Sequence, residues 1–211
     1  YTTLFRSDGD RLIAVDEKGQ VVNGDFILYV LGKHMKQLGL LKNETIVSTV
    51  MSNIGYYKAL EAIGIKSVKT QVGDRYVLEE MLSSGYNLGG EQSGHIICLD
   101  YSSTGDGLLT AVQLINCLVE SNSTLSEATK EIKNYPQILK NIKVNNKEKV
   151  LSDEQLLNKI KQVEDKLVNN GRVLVRASGT ESLIRVMVEA ETETECEKYV
   201  SEIVEVIKSL V

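Results

Sequence analysis

One loop of the chain has the side chains that a phosphate group requires. It lies between two stretches that alternate like β-strands, so charged and hydroxyl donors can surround a small anion there. Its candidate residues are Arg176, Ser178, Gly179 and Thr180, with Arg185 following in the next strand. Gly179 allows backbone N–H groups to approach a ligand closely. The alternative is a polar hairpin turn, in which Ser, Gly and Thr are common.

A second, glycine-rich loop covers residues 89–95 and has groups suited to a polyhydroxylated ligand. Glu91, Ser93 and His95 supply a carboxylate, a hydroxyl and an imidazole, and Gln92 supplies an amide. Each sugar hydroxyl needs one donor and one acceptor, and this loop contains both. The alternative is a plain connection between strands, with His95 a structural histidine at the start of an apolar strand.

Two carboxylates near the start of the chain have a spacing typical of a hard-cation site. Asp8 and Asp10 flank a glycine and can face one ion such as Mg²⁺, and Arg11 can stabilise a transferring phosphoryl group. The alternative is a surface turn. Two further polar segments, Asp74-Arg75 and residues 104–107, each precede a predicted helix, where helix capping is the default role.

The order of predicted elements indicates two domains. Residues 23–135 alternate between apolar strands and helices, which predicts an α/β domain with a mixed or largely parallel sheet. The first of these helices is predicted to begin with Asp25 as its N-cap. Pro136 is the only proline and marks the predicted boundary to a small α+β domain of order β-α-β-β-α, residues 136–211. Residues 1–22 are predicted to be a remnant of a preceding domain.

Composition excludes several functional classes. The net charge of −5 and pI near 5.2 argue against a nucleic-acid partner, which requires clustered Lys and Arg. No apolar run reaches the roughly 18 residues that cross a bilayer, so no membrane association is expected. The three cysteines are far apart and odd in number, which predicts buried thiols and a reducing, cytoplasmic location.

Taken in order, these segments resemble the α-D-phosphohexomutase superfamily from about Asp8 onward. Residues 8–11 are similar to the end of the family's metal loop, residues 90–95 to its sugar-binding loop, and residues 176–181 with Arg185 to its phosphate-binding loop. Residues 72–77 and 104–107 also match family patterns. In the sugar loop, Gln92 and Gly94 look like the version that reads glucosamine phosphate rather than those that read mannose or glucose phosphates.

The resemblance implies a reaction in which a phosphoserine of the enzyme and a 1,6-bisphosphate interconvert glucosamine 6-phosphate and glucosamine 1-phosphate. The implied substrate-binding residues are Asp74, Arg75, Glu91, Ser93, His95, Arg176, Ser178, Gly179, Thr180 and Arg185. Arg11 is the implied catalytic residue, and Mg²⁺ the implied cofactor on Asp8 and Asp10.

Two departures from the family pattern bear on this reading. The family's Ser-His-Asn serine loop does not occur among these residues, and Arg6 stands where a further metal-loop Asp is expected. The sequence therefore predicts a chain that is inactive alone and binds Mg²⁺ poorly, with the N-terminal domains of the same enzyme as its missing partners. Two alternatives remain: a phosphomannomutase or phosphoglucomutase, and a non-catalytic phosphosugar-binding module.

Overall fold

The computed structural model describes residues 4–7 and 9–211 and divides the chain into two compact units between Lys133 and Asn134. Pro136 lies at the start of the second unit, where its carbonyl accepts hydrogen bonds from Ala190 N at 3.3 Å and Cys196 Sγ at 3.2 Å. No helix in the described ranges is long and apolar enough to cross a membrane.

The first unit begins with a small antiparallel sheet that the sequence analysis did not predict. Its strands are β1 (Leu4–Ser7), β2 (Leu12–Val15) and β3 (Val21–Val22). They precede α1 (Gly24–Gln37), which packs against α2, α4 and α5 around a core that includes Tyr29, Tyr56 and Leu114.

The main sheet of this unit has the strand order β5-β4-β6-β7. Strand β4 is parallel to both β5 and β6, whereas the edge strand β7 is antiparallel to β6. The elements in chain order are β4 (Thr45–Thr49), α2 (Ile54–Ala62), β5 (Lys66–Thr70), α3 (Asp74–Ser84), β6 (Leu88–Gly90), β7 (Ile96–Cys98), α4 (Gly107–Glu120) and α5 (Leu125–Thr129). All five residues of β4 are buried, as expected for a central strand covered on both faces.

The second unit is a three-stranded antiparallel sheet covered by helices. Its elements are β8 (Gln137–Lys143), α6 (Lys147–Leu151), α7 (Glu154–Leu167), β9 (Arg172–Ala177), β10 (Leu183–Glu189) and α8 (Glu193–Ser209), with strand order β8-β10-β9. Helices α7 and α8 bury apolar faces against the sheet in a separate core that includes Leu156, Val186 and Ile203. The predicted fold class, an α/β domain followed by a small α+β domain, is confirmed, although the short helix α6 was not predicted and precedes the one helix expected between the first two strands.

One predicted helix cap is wrong. Asn23, not Asp25, is the N-cap of α1, and its side chain accepts a hydrogen bond from Asp25 N at 3.0 Å. An amide oxygen caps a helix as well as a carboxylate does, and the chain has both residues in this turn. The Asp25 carboxylate is thereby available for tertiary hydrogen bonds.

Candidate functional site

The sugar-loop candidates lie at the carboxyl ends of the parallel strands. Strand β4 has β5 on one side and β6 on the other, so the chain reverses its winding direction at β4. Ligands of open α/β sheets bind at such a reversal, beyond the carboxyl ends of the strands. The segments that leave these ends carry Asn53, Asp74 and Glu91.

Glu91 connects two of these segments. Its Oε1 accepts a hydrogen bond from Gly73 N at 3.1 Å, and its Oε2 lies 3.4 Å from Ser93 Oγ, which donates to it. A carboxylate has about four acceptor positions, so these two bonds leave acceptor capacity on a half-buried side chain. Glu91 is therefore held in a fixed place and can still accept hydrogen bonds from ligand hydroxyls.

Asp25 is a buried hub that the sequence analysis missed. The residue is 1% exposed, and its Oδ2 accepts from Asn53 N at 2.8 Å and from Gln92 Nε2 at 3.2 Å. The Gln92 carbonyl in turn accepts from Gly24 N at 3.0 Å. The Gln92 side chain thus faces the protein and fixes the loop that presents Glu91. The available signal was an acidic residue directly before the apolar run of residues 26–31 in this helix.

His95 is buried, and both ring nitrogens are engaged. Its Nε2 accepts from Gly105 N at 3.2 Å, and its Nδ1 lies 3.3 Å from Asp10 Oδ2. Because an amide N–H can only donate, Nε2 carries no proton, and the network assigns the hydrogen to Nδ1, which donates to Asp10. Hydrogen bonds from its own backbone and from His95 lower the pKa of Asp10.

Two glycines allow the segment around Asp10 to reach this loop. A Cβ on Gly105 would overlap the His95 ring and lie 2.7 Å from the Asp10 carbonyl oxygen. Gly94 has φ of +93°, and a Cβ there would overlap the Leu12 carbonyl. Backbone hydrogen bonds complete the contact, since Leu12 N donates to Gly94 O at 3.0 Å and Gly107 N to Gly9 O at 2.9 Å.

The remaining candidates of the first unit lie at the surface. The Asp74 carboxylate is 4.0 Å from His95 Nε2, so the structure brings Asp74, His95 and Asp10 together. Arg75 is turned away from them and donates through Nε to Glu79 Oε1 at 2.7 Å, and this hydrogen bond raises the pKa of Arg75. Arg11 Nε is 3.8 Å from Asp10 Oδ2.

The described residues do not by themselves form a magnesium site. No group of three His, Cys, Asp or Glu side chains suited to a metal occurs within residues 4–7 and 9–211. Asp8, the other predicted ligand, lies outside the described residues, and Asp10 Oδ2 is already engaged by His95. One partly committed carboxylate does not meet the oxygen-rich octahedral shell of Mg²⁺.

In the second unit, the predicted phosphate residues are gathered on one hairpin. Arg176 and Arg185 are direct cross-strand partners in the β9–β10 pair. Partial burial and the neighbouring Arg185 guanidinium together lower the pKa of Arg176. Two like charges in direct register destabilise a sheet unless an anion lies between them.

Two buried donors at this pair have no hydrogen-bond partner among the described residues. Ser178 is 2% exposed, and within the described ranges its Oγ and Arg185 Nε are buried without a hydrogen bond. Arg185 has one long contact, from Nη2 to Glu181 Oε2 at 3.5 Å. A buried donor without an acceptor costs about 1–3 kcal/mol, and an anionic ligand would remove that cost.

The tip of the hairpin is open to solvent. Gly179 and Thr180 are exposed, and a Cβ on Gly179 would meet nothing within 4 Å. Arg176, Ser178 and Arg185 therefore form the inner part of the loop, with Thr180 at its rim. These charged and hydroxyl donors together suit a small anion.

Comparisons with known proteins match both units. The family described as Phosphoglucomutase/phosphomannomutase, alpha/beta/alpha domain III, matches residues 23–135, and the C-terminal domain of the same family matches residues 139–206. A phosphoglucosamine mutase of Geobacillus kaustophilus (strain HTA426) is 59% identical over 97% of this chain, and one of Bacillus subtilis (strain 168) is 57% identical over 97%. The chain spans about half the length of the curated relatives it matches, at 45% and 46% of these two.

Solved structures with low sequence identity share the fold. An N-acetylglucosamine-phosphate mutase in a product complex has a TM-score of 0.78 and 19% identity, covering 96% of this chain and 48% of that one. Aspergillus fumigatus N-acetylphosphoglucosamine mutase, in complex with GlcNAc-6P and magnesium, has a TM-score of 0.78 and 20% identity, covering 97% of this chain and 51% of that one. The chain therefore belongs to the phosphoglucomutase/phosphomannomutase family, of which it carries domain III and the C-terminal domain.

Proposed function

We propose that a full-length protein carrying this chain interconverts glucosamine 6-phosphate and glucosamine 1-phosphate, and that this chain binds the sugar hydroxyls and the phosphate that is not being transferred. The observation that carries the proposal is that Ser178 Oγ and Arg185 Nε, next to Arg176, are buried without a hydrogen-bond partner among the described residues. Identities of 57–59% to phosphoglucosamine mutases support the choice of sugar.

Phosphate binding would satisfy the cationic and hydroxyl groups of the hairpin. A phosphate dianion between Arg176 and Arg185 offsets their repulsion and accepts from Ser178 Oγ, and Thr180 adds a hydroxyl at the rim. Each hydrogen bond to a charged group contributes roughly 1.5–3 kcal/mol. Gly179 keeps the tip free of a side chain that would obstruct the anion.

Sugar binding would use the spare acceptor positions of Glu91 and the hydroxyl of Ser93. The carboxylate is already oriented by Gly73 N, and Gln92 fixes the loop through Asp25, so little conformational freedom is lost on binding. His95 would position Asp10 and the backbone at Gly105 rather than touch the sugar. Asp74 lies at the same edge and can accept a further hydroxyl.

The transfer step itself would require groups from the rest of the protein. Phosphoryl transfer depends on a carrier nucleophile and on neutralising charge, and the Ser-His-Asn carrier loop of the family is not among these residues. We infer that this chain alone does not turn over substrate, and that Arg11 acts on the transferring group only in the full-length protein. Mg²⁺ remains a proposal for that protein.

The test is a coupled assay of the full-length protein with glucosamine, glucose and mannose phosphates. Glucosamine 6-phosphate is expected to be the preferred substrate, with Arg185→Ala and Ser178→Ala lowering kcat/KM by about 10- to 100-fold through lost phosphate binding. A preference for mannose or glucose phosphates would contradict the assignment of glucosamine phosphate as the substrate. Binding without turnover by the full-length protein would instead support a phosphosugar-binding module.

A further inference from the structure

Lys147, the first residue of α6, binds the backbone of the candidate phosphate loop, residues 178–181. Its Nζ donates to Ser178 O at 2.8 Å and to Glu181 O at 3.2 Å, so one ammonium bonds both ends of the exposed tip. In the sequence, a lysine at the start of a helix gives no indication of this role.

The lysine is itself well anchored. The side chain of Asn146, the N-cap of α6, accepts from Lys149 N at 2.9 Å and fixes the first turn of the helix. Just before that turn, Val144 N donates to Ser182 O at 3.1 Å and joins the same segment to the far end of the loop. Lys147 therefore reaches the loop from a segment already attached to it.

The loop has few other restraints. Ser178 N donates to Leu183 O at 2.9 Å and Leu183 N to Glu181 O at 2.9 Å, but Gly179 and Thr180 are exposed between them. Without the lysine, the Ser178 carbonyl would lose this hydrogen bond, and the Glu181 carbonyl would be left with the bond from Leu183 N, both beside the proposed anion site. Carbonyl oxygens carry partial negative charge, so an ammonium bonded to both reduces their repulsion of a phosphate.

We propose that Lys147 is a positioning residue for phosphate: it fixes the backbone of residues 178–181 so that Ser178 Oγ and Arg185 Nε stay aimed at one anion. This inference rests on the proposed phosphate-binding function. It differs from a purely structural role because the affinity for phosphate, and not only the stability of the unit, depends on Lys147.

The experiment is an NMR titration of the isotopically labelled chain with inorganic phosphate, following the amides of residues 178–180 and of Arg185. Lys147→Met removes both hydrogen bonds and is expected to weaken phosphate binding by about 10-fold, because the loop must then be ordered on binding, and fixing one residue costs about 1–2 kcal/mol. Lys147→Arg, which keeps the charge and the donors, is expected to recover most of the affinity.

Lys149→Met is the matched control. It makes the same charge change on the same helix, and Lys149 is exposed. It is expected to bind phosphate as tightly as the unsubstituted chain. Lys147→Gln, which removes the charge and keeps an amide donor, is measured in parallel so that a poorly folded methionine variant does not leave the question open. The melting temperature is recorded for every variant.

The outcomes separate the two proposals. Weaker binding in the Met and Gln variants at an unchanged melting temperature, with lower amide order at Gly179 and Thr180, supports the positioning role. Equal affinity in Lys147→Met and Lys149→Met overturns it while leaving the phosphate site intact. If phosphate shifts none of the amide resonances of residues 178–185 in the unsubstituted chain, the proposed phosphate site is wrong. The proposed role of Lys147 is then wrong as well.

Discussion

Arg176 and Arg185 lie directly opposite each other on β9 and β10, although neighbouring strands normally avoid like charges in register. The pair is partly buried, and the pKa of Arg176 is lowered by that burial and by Arg185. This arrangement is unfavourable by itself, and an anion bound between the two guanidinium groups would make it favourable. Such a conflict between stability and local charge is typical of a binding site.

We predict that removing one of these two charges weakens phosphate binding without lowering the stability of the ligand-free chain. Arg185→Gln should leave the melting temperature of the ligand-free chain unchanged or slightly higher, because a cross-strand like-charge pair costs about 0.2–1 kcal/mol. The rise in melting temperature that phosphate causes should be lost, since stabilisation by a ligand depends on its affinity for the folded state. Thermal denaturation with and without about 50 mM phosphate, in buffers of equal ionic strength, measures both effects.

Lys143→Gln, an exposed change on β8 of the same sheet, is the control for the loss of one positive charge. It should preserve the effect of phosphate. A large loss of stability in ligand-free Arg185→Gln would contradict the proposed repulsion.

Gly105→Ala should destabilise the first unit. The added methyl group would overlap the His95 ring and crowd the Asp10 carbonyl, and overpacking of this kind costs about 1–3 kcal/mol. Gly179→Ala, which meets nothing within 4 Å, should change stability by less than about 0.5 kcal/mol. Urea denaturation of both variants compares them, and equal stabilities would be evidence against the close approach at Gly105.

How much of the structure can be predicted from the sequence depends on how far apart the interacting residues lie in the chain. The hairpin that carries the phosphate candidates was predicted because these residues lie within ten positions of each other, and the alternating strands on both sides place most of them in one loop. The Asp25–Gln92 hydrogen bond joins two residues that are 67 positions apart in the chain, and the two Lys147 contacts span 31 and 34 positions. Only the fold brings these residues together. Strand β6 was missed because two of its three residues are glycines, which have low strand propensity. The metal loop stays a prediction, since Asp8 lies outside the described residues.

The pair Arg172–Glu189 should be a strong determinant of stability in the second unit. Glu189 is 0% exposed, and its two oxygens accept from Arg172 Nε at 2.7 Å and Nη2 at 3.1 Å. Arg172→Met leaves a buried carboxylate with fewer partners and should cost about 3–5 kcal/mol. The double variant Arg172→Met/Glu189→Leu should recover part of that loss, because the uncompensated charge is gone. A double-mutant cycle by chemical denaturation checks this, and strictly additive losses would contradict it.

The cysteines should be unreactive in the folded protein. Burial raises the pKa of Cys117 to about 12 and that of Cys98 to about 11, and Cys196 is buried as well. The thiolate is the reactive form, so a disulfide reagent at pH 8 should modify these residues only when their unit unfolds. Cys98 and Cys117 report on the first unit and Cys196 on the second, and Cys196→Ala tells them apart. Fast labelling of native protein would rule out this burial.

The same raised pKa values predict a loss of stability in alkali. The unfolded thiol ionises near its ordinary pKa of 9.0, whereas Cys117 in the folded state holds its proton to about pH 12. Its contribution is therefore complete below pH 9 and decreases as the pH rises from 9 toward 12. Cys117→Ala should flatten this part of the stability–pH profile measured by denaturation. An unchanged slope would show that other groups cause the alkaline loss.

The central claim, that the hairpin of residues 176–185 holds a phosphosugar, is tested most directly by titrating glucosamine 6-phosphate into the labelled chain and into Arg176→Ala. We predict millimolar binding, with shifts of the amides of residues 176–185 that weaken about 10- to 100-fold in the variant, because Arg176 supplies a bidentate charged contact. Lys143→Ala, which removes an exposed positive charge on β8 of the same sheet, should bind as the unsubstituted chain does at this hairpin. Shifts that map elsewhere, or that persist unchanged in Arg176→Ala, would show that the hairpin is only a turn.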